Sequence, residues 1–244
     1  MNLISIEGSP IAIGIIGYLI YFYFLKSEII RQYFQSLLHP RKGSFYWIQL
    51  TRGIAFISMA ILPLAFILFC DISFWAPNFI WKNQDSLFTL ILAIILIPLG
   101  AINSRGTEHL SQYPQVRMDK WNPIEYIINI LSWGIYLLGY EYLFRGVLFM
   151  GLLPFFSSLQ AIGINTTLYA LAHIYKGKKE TLGSIPLGII LCLITLETKT
   201  ICTAFAVHWV MASNNFIWSQ RHLGIRAKKS LLGKKSKRDY TVQL

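Results

Sequence analysis

The 244-residue chain is 55% hydrophobic and 15% aromatic, with only 14% charged residues and a formal net charge of +11. A mean hydropathy of +0.51 excludes an ordinary soluble domain of this size and points to a polytopic membrane protein. Neither an aromatic platform nor a folded basic module accompanies the positive charge, so no nucleic-acid partner is expected.

Apolar stretches able to cross ~30 Å of hydrocarbon run from Pro10 to Leu25, Gly53 to Ile80, Ser86 to Ile102, Pro123 to Leu152, Phe155 to Ile174, Leu182 to Leu196 and Thr200 to Trp218. The expected fold is therefore an all-α transmembrane helix bundle of about seven spans, six to eight, two of them short. No basic segment precedes Pro10 and no small-residue cleavage site follows the first run, so that run reads as a retained span. Nineteen of the Lys and Arg residues fall in alternate connections and the C-terminal tail. Only Lys82 and Lys199 fall in the opposite set, and Arg145 lies within a span. The positive-inside rule then puts the N-terminus outside and the C-terminus in the cytoplasm.

Residues 1–122 read as N-terminal helices with cytoplasmic connections, 123–218 as the functional core and 219–244 as a basic tail. That tail, with Arg226, Lys228, Lys229, Lys234, Lys235, Lys237 and Arg238, suits anionic lipid headgroups. Trp75, Trp81 and Trp121 sit at span ends as interfacial anchors do, and Asp71 beside Trp75 reads as interfacial. Cys70, Cys192 and Cys202 form no CxxC pair and read as small core residues. His39, His109 and His222 lie in polar connections and receive no role.

The fourth span opens with Asn122 as N-cap, Pro123 at the first helical position and Glu125 at the third. Helical from there to Leu152, it would extend about 45 Å, longer than the hydrocarbon, so that Glu141 falls well inside the bilayer. An ionised side chain at that depth costs at least ~2.5 kcal/mol and usually serves chemistry or transport. Glu141 and Arg145 share a helix face at i, i+4, in the better orientation for pairing. A buried ion pair that only holds helices in register is the competing explanation. His173 ends the Tyr169-Ala170-Leu171-Ala172-His173 run of the fifth span, and His208 lies in the seventh. A carboxylate and two imidazoles on three apolar helices are what activating a water and stabilising an oxyanion require. His173 lies near the cytoplasmic end of its span and Glu141 deeper. Helix tilt, or a fifth span that starts later than Phe155, must bring them together.

On these residues the chain resembles the CPBP family of intramembrane proteases, which contains the CAAX prenyl endopeptidases of the Rce1 type and many bacterial relatives. The family motifs EExxxR, FxxxH and HxxxN correspond here to Tyr140-Glu141-xxx-Arg145, Tyr169-xxx-His173 and His208-xxx-Ala212, over roughly Pro123 to Asn215. The chain is a variant with Tyr-Glu in place of Glu-Glu. The resemblance implies an integral membrane protein, of a bacterial inner membrane, that hydrolyses a membrane-anchored or lipidated protein or peptide. Glu141 and His173 would polarise a water, Arg145 would orient Glu141, and His208 with an amide partner would stabilise the oxyanion. With Ala212 in place of the family's Asn, Asn214 and Asn215 are the candidate amides.

No cofactor and no metal are expected, because there is no HExxH pairing and a lone carboxylate committed to Arg145 is a poor third zinc ligand. The alternative function is a catalytically inactive membrane adaptor or immunity protein, to which the Tyr140 and Ala212 changes point. A proton-coupled transporter would call for an inverted repeat, and none is visible.

Overall fold

The computed structural model describes residues 9–37, 40–72, 79–106, 109–110, 113–116 and 121–239. Their regular elements are all helical, with no strand among them. The expected anchor Trp75 lies outside the described residues, as do the side chains of the basic tail.

Helix α1 (Ser9–Lys26) stops at Ser27, whose hydroxyl accepts from the Ile30 N–H and starts α2 (Glu28–Ser36). The break bends the pair by 55°. Helix α2 buries none of its residues and leaves Ile29 and Tyr33 outward, as an interfacial helix does. Helix α3 (Pro40–Phe56) continues through a π turn (Ile57–Ile61) into α4 (Leu62–Phe69). Pro63 has no N–H to donate one turn back, and the π turn lies across the interruption. Helix α1 comes so close at Gly17 that a Cβ there would meet the Ser58 carbonyl, and a Cβ on Gly139 would lie 2.9 Å from Phe56 Cα. Hydrogen at these two positions is what lets three helices touch backbone to backbone.

Helix α5 (Asn83–Asn103) begins where the Asp85 carboxylate accepts from the Lys82 N–H at 3.0 Å. Its apolar side chains face outward, and Asp85 is the buried residue among them, as expected of a helix lying against lipid. Helix α6 (Pro123–Glu141) starts as its sequence predicts: Asn122 accepts from Glu125 N at 2.7 Å and Glu125 returns a bond to Asn122 N at 3.1 Å. It runs directly into a nine-residue π segment (Tyr142–Met150). Helix α7 (Ser158–Leu171) is started by a Ser157–Gln160 capping box. A 3₁₀ turn (Ile174–Lys176) ends at Gly177 with φ 95°, a conformation that favours glycine. Helix α8 (Lys178–Thr198) and the 38-residue α9 (Cys202–Asp239) complete the fold.

Among the described residues, four helices have the length and hydropathy to cross a membrane: Lys42–Phe69, Asn83–Asn103, Pro123–Met150 and Lys178–Thr198. The bent α1–α2 pair makes a fifth if it counts as one span. The expected run from Phe155 to Ile174 yields a helix of 14 residues, about 21 Å long and short of the hydrocarbon thickness. The second span starts earlier than its apolar run, so Arg52 lies inside a helix and not in a connection.

The core is the α3–α6 pair, with α1 on one side and α9 on the other, while α5 packs on α9 and α7 on α8. The α6–π rod is the most enclosed of the four candidate spans, with 61% of its apolar window buried. That is why a charged site can exist on it.

Candidate active site

Glu141 is the last residue of α6, and Arg145 sits in the π segment that follows. Both side chains are fully buried. Arg145 Nη1 lies 2.9 Å from Glu141 Oε2, and the guanidinium stacks over the Tyr169 ring with Cζ 4.2 Å from its centre. A buried carboxylate is tolerable only if its charge is met and its lone pairs are used. The second oxygen, Oε1, is met by His208 Nδ1 at 2.5 Å from α9.

This contact fixes the imidazole. An ionised carboxylate only accepts, so Nδ1 of His208 carries a proton, and in the neutral ring Nε2 keeps a lone pair. The same reasoning applies to His173, whose Nδ1 lies 2.8 Å from the Tyr169 carbonyl oxygen. The two rings lie 6.4 Å apart and within 20° of parallel. The cluster thus presents two basic Nε2 atoms beside one charge-balanced carboxylate. His208 retains 12% side-chain exposure where Glu141 has none, so a water molecule reaches the imidazole before the carboxylate.

Five surrounding bonds hold these groups in place. Asn165 of α7 donates to the Phe144 carbonyl at 2.6 Å and accepts from Cys192 Sγ of α8 at 3.2 Å, which ties the π segment to both helices. Trp209, next to His208, donates to the Ile130 carbonyl of α6 at 2.9 Å. At the start of α9, Thr200 and Thr203 donate to the buried Asp85 carboxylate at 2.8 and 2.7 Å. Helix α7 starts at Ser158, later than Phe155, and its end meets the junction of α6 and the π segment, where Tyr140 and Phe144 face Tyr169 and His173.

Tyr140 is the hub of the aromatic surroundings. Its ring meets His208 edge-on at 5.6 Å and His173 at 6.1 Å, and its buried hydroxyl has no hydrogen-bond partner among the described residues. An apolar groove of about 390 Å³ runs alongside, lined by residues that include Tyr18, Phe22, Phe144, Leu168, Ala172 and Tyr175.

The structure therefore brings together Glu141, Arg145, His173 and His208. It does not bring Asn214 and Asn215 to them. Asn214 donates to the Ile97 carbonyl of α5 at 3.1 Å, and Asn215 faces the same helix near Gly100. They lie six and seven residues past His208, about 9–10 Å along the axis. Among the described residues no three of His, Cys, Asp and Glu are grouped to hold a metal ion. The donor set does not fit one either, since both oxygens of Glu141 are engaged by Arg145 and His208.

Residues 120–213 match type II CAAX prenyl endopeptidase Rce1-like. This match supports the CPBP family, a family of intramembrane proteases, and it spans all four residues of the cluster. With the apolar helices it supports an integral membrane protein. No curated protein matches the chain, and no solved structure does.

Sequence reasoning missed Tyr140 as the group between the imidazoles, Asn165 as the tie on the π segment, and Asp85 as the anchor of α9. Only Asp85 carried a local signal, an acid in the first turn of a helix.

Proposed function

We propose that this chain is an intramembrane endopeptidase that hydrolyses a peptide bond in a membrane-associated or lipidated protein or peptide. The observation that carries the reading is the Glu141–His208 contact at 2.5 Å, backed by Arg145 and open at the imidazole. The division of labour it supports differs from the one expected from sequence. His208 Nε2 takes a proton from a water molecule as the water oxygen attacks the carbonyl carbon, and Glu141 meets the charge of the resulting imidazolium. His173 Nε2 accepts a hydrogen bond from the hydrogen that stays on the water oxygen and so aims the attacking lone pair. The carbonyl π electrons move to oxygen, and that oxyanion accepts a hydrogen bond from the Tyr140 hydroxyl in place of an amide. Collapse re-forms the C=O bond and breaks the C–N bond, and His208 returns its proton to the departing amine.

The apolar groove beside Tyr18 and Phe144 suits a substrate that arrives through the bilayer. We place the N-terminus outside and the basic tail in the cytoplasm against anionic lipid, with α7 and the start of α9 as partial crossings that raise the count toward seven. The second reading is an inactive adaptor, favoured by the full enclosure of Glu141. The test is cleavage of farnesylated and unmodified membrane peptides by purified protein, beside His208→Ala and Glu141→Gln, with and without a zinc chelator. Loss in both variants, with no effect of the chelator, supports the proposal. Cleavage retained in both sinks it and leaves the adaptor in front.

A further inference from the structure

Arg52 is a second buried arginine, 4% exposed, and no carboxylate meets it among the described residues. Its Nη1 donates to the Asn129 carbonyl and side chain, both at 3.0 Å, and to Ser132 at 2.6 Å. Its Nη2 donates to Gln115 at 3.1 Å, and the guanidinium lies 4.2 Å over the Trp133 ring. All of these partners are neutral. A guanidinium has five N–H groups. The bonds to Gln115 and to the Nη1 acceptors leave one Nη2–H and the Nε–H, and Nε is buried without a partner. Those two atoms flank the edge with which arginine reads oxyanions side-on.

A small cavity of about 10 Å³ is lined by residues that include Tyr21, Thr51, Arg52, Gln115, Tyr136 and Lys176. It has room for about one oxygen atom. Further positive charge gathers around it: Tyr175 has Lys26 Nζ 5.0 Å and Lys176 Nζ 5.9 Å from its ring centre. Among the described residues Glu180 is the acid against these groups; it accepts from the Tyr113 hydroxyl at 3.2 Å and faces Lys176. Three cations and one acid leave an excess of positive charge, and its most buried member has no counter-charge.

We propose that this cavity binds one oxygen of a phosphate group, supplied by an anionic lipid headgroup or by free phosphate, and that the bound anion is the counter-charge of Arg52. Lys26, Lys176 and the polar connections place the mouth at the cytoplasmic headgroup level if the charge pattern sets the topology. The proposal stands independently of the protease reading, because its readout is stability.

The experiment uses full-length protein and thermal unfolding. One arm adds inorganic phosphate against chloride at equal ionic strength in neutral detergent; the other compares phosphatidylcholine nanodiscs with and without phosphatidylglycerol. The wild type should gain about 3 °C or more when the anion is saturating. Response in both arms identifies phosphate itself as sufficient, and response to phosphatidylglycerol alone identifies the headgroup. Gln115→Glu puts a carboxylate where Nη2 already donates, so it should melt higher than wild type without anion and gain little from it. Lys176→Gln should keep the wild-type baseline and lose part of the gain. Both variants retain the basic tail, so any contribution of the tail persists in them. No response of the wild type in either arm, or a Gln115→Glu response equal to wild type, overturns the proposal.

Discussion

Two arginines buried on neighbouring helices show two ways of keeping a cation out of water. Arg145 faces a carboxylate and an aromatic ring, and the carboxylate in turn holds an imidazole. Arg52 faces an amide, a hydroxyl, a carbonyl and an aromatic ring, all neutral. The first arrangement is charge-neutral as a unit, and each member is needed by the next. The second is a set of dipoles that orient a charge without cancelling it. Neutral donors and acceptors can rehydrate or repack when the cation is removed, whereas an abandoned buried carboxylate cannot. The difference is the one between the proposed catalytic site and the proposed anion site.

The sharpest way to break this comparison is Glu141→Gln. It preserves shape but removes the charge that holds the His208 tautomer, so cleavage should fall by about 10⁴-fold, as when the acid of a catalytic triad is amidated. Peptide-cleavage rates measure this, and an unchanged rate would return Glu141 to a packing role. Next in size is Arg145→Met, which strands a fully buried carboxylate. Breaking such a pair costs about 3–5 kcal/mol, so the variant should show a greatly lowered melting temperature or fail to accumulate in the membrane. Tyr140→Phe removes only a buried hydroxyl without a partner, so melting should hold or rise while kcat falls about 10²-fold with KM little changed. A fall in KM and kcat together with lost stability would assign Tyr140 to packing. Smallest is Arg52→Met, expected to cost about 1–3 kcal/mol, since only neutral groups lose a partner. Were Arg52→Met to destabilise as much as Arg145→Met, the distinction between the two clusters would collapse.

Much of the candidate site was legible because its residue types recur at fixed spacing. Glu141 and Arg145 are i, i+4 on a helix whose start is fixed by Asn122, Pro123 and Glu125, and each histidine ends or sits within an apolar run. What could not be read was depth and direction. Pro154 and the Ser157–Gln160 cap shorten the fifth hydrophobic run to 14 helical residues, which hydropathy alone does not register. Asn214 and Asn215 are on the right helix for an oxyanion amide, but only packing shows that they are turned toward α5. Arg52 read as a topological charge at the edge of an apolar run, because nothing local shows that α3 extends past it and that Asn129, 77 residues away, receives it. Hydropathy likewise registers seven runs, while helix length and composition single out four, or five with the bent pair.

The π segment Tyr142–Met150 makes the candidate site sensitive to chain length in a way the uninterrupted α-helices do not share. A π helix closes each turn over one more residue than an α-helix does. Deleting a single residue between 142 and 150 would let that stretch tighten into an ordinary helix, re-aiming the groups inside it while the helix beyond keeps nearly its present direction. The Phe144 carbonyl that Asn165 now holds would be displaced. Loop-length tolerance elsewhere in the chain therefore gives no guide to this stretch, whose residue count is as much a part of the site as its side chains.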